Sequence, residues 1–500
     1  MKLYLLAIDQ GTTNSRAMIF DRSGNIVSQH EKELQQYFPK PAWVEQNPQE
    51  MFDNTVECCR MALKKANLSA DSIAAAGISN QRETTIIWDR KTGEPIYPAI
   101  VWQDRRTSDI CKKLSTTKLA KMVTDKTGLL LDPYFSATKI MWILDHVENA
   151  RERATRGELL FGTVESFILW KLTNGKSHAT DVTNASRTML YNIHTLQWDK
   201  ELLSEFDIPP EILPKVFDNT ADFGHIDAKF LGSSIPVSGM AGDQQAATIG
   251  QACFSPFMVK ATYGTGCFML LNTGKEIIHS PHRLLSTIAY RINGEVTYGL
   301  EGSIFSAGST IQWLRDQLNI IHSAAETEKI ASELDNTDGV YLVPAFTGLG
   351  APYWDPHARA AILGLTLNSG RAQIVRAALE SMGYQTRDLL DAMTAHGDIK
   401  ALRVDGGIVA NQWFLQFLSN ILDIPVQLPA CTETTALGVA WLAGLQTGIY
   451  SSLDEISQLW QMSASFNSGM KNNEREKLYQ GWKRAVESAR LLGSCGMDSD

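Results

Sequence analysis

Residues 3–20 of the chain read LYLLAIDQGTTNSRAMIF and place a short Gly/Thr turn between two apolar runs. The runs predict two buried strands, Leu3 to Ile8 and Arg16 to Phe20, with DQGTTNS as the turn between them. A second segment of this kind, VKATYGTGCFMLL at residues 259–271, opens the latter half of the chain. This recurrence predicts two related lobes with a boundary at about residue 250.

The composition is that of a folded multi-domain protein. The 500 residues exceed what one compact core needs and fit two or three domains. Hydrophobic residues make up 44% and charged residues 20%, which argues against a disordered or fibrous chain. The net charge of -9 argues against a nucleic-acid-binding protein, because such a protein needs an excess of Lys and Arg.

Targeting signals are not evident. Asp9 interrupts the first apolar run too early for a signal peptide, and the later run at 436–445 is too short to span a bilayer. The seven cysteines show no metal-binding spacing, and an odd number without a secretion signal predicts reduced thiols. We therefore expect a cytoplasmic protein without membrane insertion.

Strands alternate with helices along the chain, which favours an α/β fold. Asn47-Pro48-Gln49-Glu50 supplies a cap, a first-turn proline and an acid, and it predicts a helix over 47–66. Apolar runs at 73–78 and 84–88 predict strands that flank the polar segment SNQRE. The same patterns predict helices at 371–395 and 411–421 and strands at 402–404 and 425–428.

Three glycine-containing turns follow predicted strands. In the turn from Asp9 to Asn14, glycine lets the backbone approach an anion, Asp9 can hold hydrated Mg²⁺, and Arg16 can face phosphates. Residues 263–267 and 405–407 form the other two turns. Taken singly, each is equally well explained as an ordinary turn. The pairing of the first two favours a nucleotide held between two lobes.

Two polar segments offer acid and base groups. Arg82 and Glu83 would point to opposite faces of a regular strand, so both reach one polyol only if the backbone is irregular; the alternative is a solvated surface pair. Asp243 is either a helix N-cap, which its spacing slightly favours, or the general base of a phosphoryl transfer. Three aromatic residues either pack or line the carbon side of a polyol: Trp102, Tyr134 and Phe268.

Together these segments resemble the glycerol kinases, within the carbohydrate kinase family that shares the actin-like ATPase fold. The resemblance covers nearly the whole chain, and its most specific strings are NQRET at 80–84, WQDRRT at 102–107 and AGDQQAA at 241–247. It implies two related actin-like (ribonuclease H-like) domains with an active-site cleft between them. Residues 1–250 would hold the polyol site, the first phosphate turn and the catalytic Asp, and residues 251–500 the second phosphate turn and the adenosine site.

The activity implied by the resemblance is ATP-dependent phosphorylation of glycerol to sn-glycerol 3-phosphate, which opens glycerol catabolism. Asp243 would take the proton of the accepting hydroxyl, and Asp9 would position Mg²⁺ through water. The implied glycerol-binding residues are Arg82, Glu83, Tyr134, Asp243 and Gln244, with Trp102 and Phe268 against the carbon edge. The implied phosphate contacts are Thr12, Thr13, Asn14, Arg16, Thr265, Gly308 and Gln312, and the adenosine contacts are Gly407 and Asn411.

The resemblance also implies a homodimer or homotetramer. Relatives inhibited by fructose 1,6-bisphosphate carry Gly-Thr-Arg-Ile-Pro where this chain has Gly232-Ser233-Ser234-Ile235-Pro236, which argues against that control here. In relatives activated by phosphorylation of a histidine, the counterpart position is Lys229, which argues against that control as well.

Two other readings remain open. A sister kinase would act on xylulose, ribulose or gluconate, and NQRET and WQDRRT argue against it because they would line the acceptor pocket. An actin-like or chaperone-like ATPase would use nucleotide to switch partners. Such a protein would not need Arg82, Glu83 and Asp243 together.

Overall fold

The computed structural model describes residues 3–394 and 397–494. The strands are β1 Tyr4–Gln10, β2 Asn14–Phe20, β3 Ile26–Glu33, β4 Glu45–Gln46, β5 Ile73–Asn80, β6 Ile86–Asp89, β7 Ala99–Ile100, β8 Leu159–Gly162, β9 Ala179–Asp181, β10 Tyr191–Asn192, β11 Gln197–Trp198, β12 Lys215–Phe217, β13 His225–Ile226, β14 Ile235–Gly242, β15 Val259–Tyr263, β16 Cys267–Gly274, β17 Leu285–Ile292, β18 Glu295–Ile304, β19 Tyr341–Val343, β20 Ala361–Leu363, β21 Leu402–Asp405, β22 Val426–Pro429 and β23 Met462–Phe466.

The α-helices are α1 Pro48–Lys65, α2 Ser108–Ser115, α3 Lys118–Thr127, α4 Ser136–His146, α5 Ala150–Thr155, α6 Val164–Leu172, α7 Val182–Ala185, α8 Lys200–Glu205, α9 Ala228–Leu231, α10 Asp243–Gly250, α11 Gly308–Asp316, α12 Glu326–Ser332, α13 Arg371–Thr394, α14 Gln412–Leu422, α15 Thr434–Gln446, α16 Leu453–Leu459 and α17 Asn472–Ser494.

Two large sheets follow the same path. The first has the strand order β13-β14-β5-β1-β2-β3, with β1 antiparallel to β2 and parallel to β5, which is parallel to β14. The second has the order β17-β18-β16-β15-β21-β22-β23, with β15 antiparallel to β16 and parallel to β21, which is parallel to β22. The repeated path confirms the prediction of two related α/β lobes.

The predicted elements are present with small shifts at their ends. Helix α1 is capped as expected, because the side chain of Asn47 accepts the N–H groups of Gln49 and Glu50. Helix α13 covers the predicted segment up to Thr394, and residue 395 lies outside the described residues. Six of the seven cysteines are described, and all six are free thiols; Cys495 lies outside the described residues. Among residues 3–394 and 397–494, no helix has the length and apolar character needed to cross a bilayer.

Helices α10 and α15 pack between the two sheets with their backbones in contact. A Cβ added at Gly438 of α15 would lie 1.9 Å from the carbonyl oxygen of Ala246 in α10. A Cβ at Gly77 of β5 would lie 2.1 Å from the carbonyl oxygen of Val439, so glycine also lets α15 lie directly on the first sheet. Helix α15 belongs to the second half of the chain, yet it joins a buried apolar cluster with Leu5 and Ala7 of β1.

We expect Gly438→Ala to destabilise the protein by about 1–3 kcal/mol, because the added methyl group forces α10 and α15 apart. Alanine favours a helix over glycine by up to about 1 kcal/mol, and the clash outweighs that gain. Thermal unfolding measures the change. Gly469→Ala is the matched control, since a Cβ at Gly469 meets nothing within 4 Å. Equal unfolding temperatures for the two variants would contradict the proposed steric role of Gly438.

Candidate active site

The carboxyl ends of three parallel strands form the floor of the candidate site. Asn80 at the end of β5 is paired with Gln10 of β1 on one side and with Gly242 of β14 on the other. The turn after β1, the segment after β5 and the start of α10 therefore lie side by side. Ligands of open α/β sheets bind at this edge of the parallel strands.

Arg82 and Glu83 are buried in this edge rather than solvated, with 3% and 1% of their surfaces exposed. Glu83 has a φ of 61°, so the backbone is irregular here. Because the backbone leaves the regular strand conformation at Glu83, the side chains of Arg82 and Glu83 can both reach one ligand. Arg82 Nε lies 3.2 Å from Asp243 Oδ1, which joins the segment after β5 to the start of α10.

An aromatic wall stands beside this ion pair. Trp102 is 5.7 Å from Tyr134 and 6.2 Å from Phe268 between ring centroids, and both pairs meet edge to face. The indole N–H of Trp102 donates to Thr12 Oγ1 at 2.9 Å. The structure thus brings the predicted aromatic residues together and connects them to the first Gly/Thr turn.

Asp243 is the first residue of α10, and the N-cap position belongs to Gly242. The interpretation of Asp243 as an ordinary N-cap is therefore wrong, although its Oδ1 accepts the N–H of Gln244 at 2.7 Å. A third of the side chain, 33%, stays accessible in the cleft. Desolvation in the cleft raises the pKa of Asp243 above its ordinary value, while Arg82 and Lys260 work in the opposite direction.

Three buried charged residues of the site were not found from the sequence: Arg187, Lys260 and Glu301. Glu301 Oε2 lies 2.5 Å from Arg82 Nη1, and Glu301 Oε1 lies 2.8 Å from Arg187 Nη2. Arg187 Nε in turn lies 2.6 Å from Glu83 Oε1. A charged residue inside an apolar strand, as in VKATY and YGLEGSI, is the signal that predicts such buried pairing.

Lys260 determines how Gln244 is oriented. Its ammonium group donates to Gln244 Oε1, so the amide Nε2 of Gln244 points to the other side. Burial lowers the pKa of Lys260 below its ordinary value, although the negative charges of Asp405 and Asp243 act to raise that pKa. Lys260 lies on β15, so the second sheet contributes directly to the site.

The network leaves at least one polar atom of each of these side chains without a protein partner. Among the described residues, none forms a hydrogen bond with the following atoms, which are accessible from outside: Arg82 Nη2, Glu83 Oε2, Tyr134 Oη, Asp243 Oδ2 and Gln244 Nε2. The set holds nitrogen donors and carboxylate acceptors close to an aromatic wall. Hydroxyl groups both donate and accept, so this arrangement suits a small polyol.

The second Gly/Thr turn packs against the start of α11. The carbonyl oxygen of Thr265 accepts the N–H groups of Ala307 and Ser309, each at 3.0 Å. A Cβ at Gly308 would lie 2.6 Å from the carbonyl oxygen of Gly264, so only glycine permits this contact. Gln312 is exposed one turn further along α11. The turn, Gly308 and Gln312 are thus close together, as predicted.

The third turn lies next to the second, because β15 and β21 are adjacent parallel strands. Gly406 has a φ of 95°, and a Cβ there would lie 2.3 Å from the carbonyl oxygen of Tyr263. The Cβ position of Gly407 has no atom within 4 Å, so a ligand can approach the backbone. Asn411 caps α14 through Phe414, and its Nδ2 donates to Thr327 at 3.2 Å.

Asp9 and Arg16 face each other across the first hairpin. Arg16 Nη2 lies 2.5 Å from Asp9 Oδ2, and Arg16 Nη1 lies 2.8 Å from Glu433 Oε2. Arg16 therefore has two carboxylate partners, and Asp9 keeps Oδ1 free of a protein partner among the described residues. Thr13 and Asn14 complete the turn, with Thr13 exposed.

The donor set near Asp9 suits a magnesium ion that is held mainly by phosphates and water. No group of three or more His, Cys, Asp or Glu side chains within residues 3–394 and 397–494 has metal-binding geometry. Mg²⁺ needs only one or two carboxylates when nucleotide phosphates supply its other ligands. Asp9 is near enough to Asp243 to raise the pKa of that carboxyl, so the two carboxylates share one region of the cleft.

Known proteins match this chain over almost its whole length. Residues 4–250 match the N-terminal domain of the FGGY family of carbohydrate kinases, and residues 259–447 match its C-terminal domain. The glycerol kinase of Marinomonas sp. (strain MWYL1) is 58% identical over 491 residues, which cover 98% of this chain and 99% of that relative. The glycerol kinase of Coxiella burnetii (strain Dugway 5J108-111) is 58% identical over 490 residues, 97% of this chain and 98% of that relative.

A crystal structure of Plasmodium falciparum glycerol kinase with ADP superposes with a TM-score of 0.91 at 38% identity, covering 97% of this chain and 98% of that one. Sequence identity and fold agree with the motifs on which the resemblance rested. The chain therefore belongs to the FGGY family of carbohydrate kinases and, within it, to the glycerol kinases.

Proposed function

We propose that the protein transfers the terminal phosphoryl group of ATP to glycerol and forms sn-glycerol 3-phosphate. The observation that carries this proposal is the set of free donor and acceptor atoms on Arg82, Glu83, Asp243 and Gln244 beside the aromatic wall. Two relatives named glycerol kinase support glycerol as the acceptor, and the ADP bound in the Plasmodium falciparum enzyme supports an adenine nucleotide as the donor.

Asp243 is the general base of the proposed reaction. Its Oδ1 is held by the Gln244 N–H and lies close to Arg82, so Oδ2 is the oxygen that accepts the proton of the attacking hydroxyl. The hydroxyl oxygen then bonds to the γ-phosphorus as the bond from that phosphorus to the β,γ-bridging oxygen breaks and ADP leaves. In such transfers the protein mainly orients the reactants and stabilises charge.

The remaining glycerol contacts follow from the chemistry of the side chains. Arg82 and Gln244 donate to hydroxyl oxygens, Glu83 accepts from a hydroxyl, and Tyr134 does either. Trp102 and Phe268 cover the carbon edge and exclude water from the reacting oxygen. A buried donor left without a partner is costly, so acceptors that lack a matching hydroxyl should bind poorly.

The nucleotide lies across both lobes in this proposal. Thr12, Thr13, Asn14 and Arg16 contact the phosphates from the first lobe and Thr265, Gly308 and Gln312 from the second, while Gly407 and Asn411 contact the adenosine. Mg²⁺, held through water by Asp9, would reduce the negative charge of the phosphates as the bond to ADP breaks.

Several properties stay predictions. They are the division at about residue 250, the cytoplasmic location and assembly as a homodimer or homotetramer. The absence of an arginine at Ser234 leads us to expect no inhibition by fructose 1,6-bisphosphate.

An acceptor panel tests the proposed reaction. Incubated with Mg²⁺ and ATP, the protein should release ADP rapidly with glycerol and at least about tenfold more slowly with xylulose, ribulose or gluconate, since mismatched polar groups cost about 1–3 kcal/mol each. Coupled detection of ADP and product identification by mass spectrometry measure the result. ADP release that no acceptor changes would instead favour a partner-switching ATPase.

We expect Asp243→Asn to lower kcat by about 10²–10⁴-fold, because the amide cannot take the proton. Binding of glycerol and ATP, measured by calorimetry, should remain, since Oδ1 and its backbone hydrogen bond can be retained. Asp109→Asn, on an exposed position of α2, is the matched control and should behave as wild type. Turnover near the wild-type rate in Asp243→Asn would remove Asp243 from the role of base.

The pH dependence of kcat/KM for glycerol should have an acidic limb, because the base form of Asp243 is lost below its raised pKa. Lys260 lowers that pKa, so Lys260→Met should raise it and move the limb to higher pH. Lys275→Met is the control, because that side chain is 82% exposed. A limb that stays in place or moves to lower pH in Lys260→Met contradicts this assignment.

A further inference from the structure

Glu301 is a carboxylate of the second lobe that reaches into the polyol site of the first. It lies on β18, with 1% of its surface exposed. Its two oxygens take separate partners, Arg82 Nη1 at 2.5 Å and Arg187 Nη2 at 2.8 Å. Both arginines belong to the first half of the chain, and one of them precedes Glu83 directly.

Glu301 is the carboxylate that two buried arginines share. Arg82 and Arg187 are both buried, and Glu301 forms an ion pair with each of them. Burial works against the charged form of Glu301, but Arg187 and Arg82 hold the pKa of its carboxyl below the ordinary value. It is therefore charged in the folded protein. Removing Glu301 would take a carboxylate partner from two buried guanidinium groups at once, which is strongly unfavourable.

Glu301 also sets which atoms remain for the ligand. Glu301 pairs with Arg82 Nη1, and Arg82 Nε lies beside Asp243. Nη2 of Arg82 is therefore left for the ligand. Glu301 also pairs with Arg187 Nη2, and Arg187 Nε pairs with Glu83 Oε1. Oε2 of Glu83 is therefore left for the ligand. One carboxylate thus orients, through two arginines, a donor and an acceptor that face the polyol.

We propose that Glu301 is a positioning residue for polyol binding, supplied by the second lobe and acting through Arg82 and Arg187. This inference rests on the proposed function, because it assigns the residue to the glycerol site. It links acceptor binding to the relative placement of the two lobes. Within the described part of the chain, the carboxylate of Glu301 is paired with Arg82 and Arg187 and with no residue of the proposed nucleotide turns, so the effect should be selective for the acceptor.

The test compares Glu301→Gln with Glu295→Gln in the full-length protein. Both residues lie on β18, but the Glu295 side chain is 77% exposed. We expect Glu301→Gln to raise KM for glycerol at least tenfold and to leave KM for ATP within about twofold, since a broken buried ion pair costs more than about 1.4 kcal/mol. Glu295→Gln should match wild type in both constants.

Glu301→Asp keeps the charge but shortens the side chain by one methylene, so it decides the question if Glu301→Gln does not fold. We expect it to raise KM for glycerol several-fold while KM for ATP stays constant. An unchanged KM for glycerol in the folded variants overturns the inference, as does an equal rise in both KM values. If wild type itself does not phosphorylate glycerol, the proposed function fails first, so the two failures are distinguishable.

Discussion

The backbone contact between α10 and α15 is the constraint on which the rest of the site depends. Glycines at 77, 250 and 438 remove the side chains that would keep the first sheet and the two helices apart. Helix α10 consequently lies between the two sheets, and Asp243 at its first position opens into the cleft that separates them. The proposed base therefore occupies a place that both lobes can reach, which a phosphoryl transfer between two bound substrates requires.

Around this base the protein buries a cluster of charges instead of an apolar core. Such clusters contribute little to stability, because desolvation costs about as much as the ion pairs return. In this site the charged residues orient other side chains: Glu301 holds Arg82 and Lys260 holds Gln244, each in a single orientation. A small, flexible polyol offers few contacts, so recognition depends on donors and acceptors that are already oriented when it binds.

In the second lobe, the proposed nucleotide contacts are made by backbone and uncharged residues. Gly308 and Gly406 make close backbone approaches that require glycine, and the carbonyl oxygen of Thr265 and the N–H of Gly308 are hydrogen-bonded within the protein. The backbone of Gly407 is open to a ligand, because no atom lies within 4 Å of the position that a Cβ would take there. In the proposed function the adenosine lies against this backbone, and this is the part of the candidate site with the least chemical signature in the sequence.

Local patterns in the sequence were sufficient to predict the strands, the capped helix α1 and the repeated Gly/Thr turns. From these elements the two-lobed α/β fold could be predicted as well. They were sufficient because hydrophobic periodicity and caps act over a few residues. Strings such as NQRET and AGDQQAA also marked most of the candidate site. Only the tertiary structure decided that Gly242, not Asp243, is the cap of α10 and that Glu301, Arg187 and Lys260 complete the polyol pocket. The ion pairs of Glu301 and Arg187 join residues more than a hundred positions apart, and Lys260 and Gln244 meet from different elements. Their partners are set by how strands and helices pack, which no local spacing encodes.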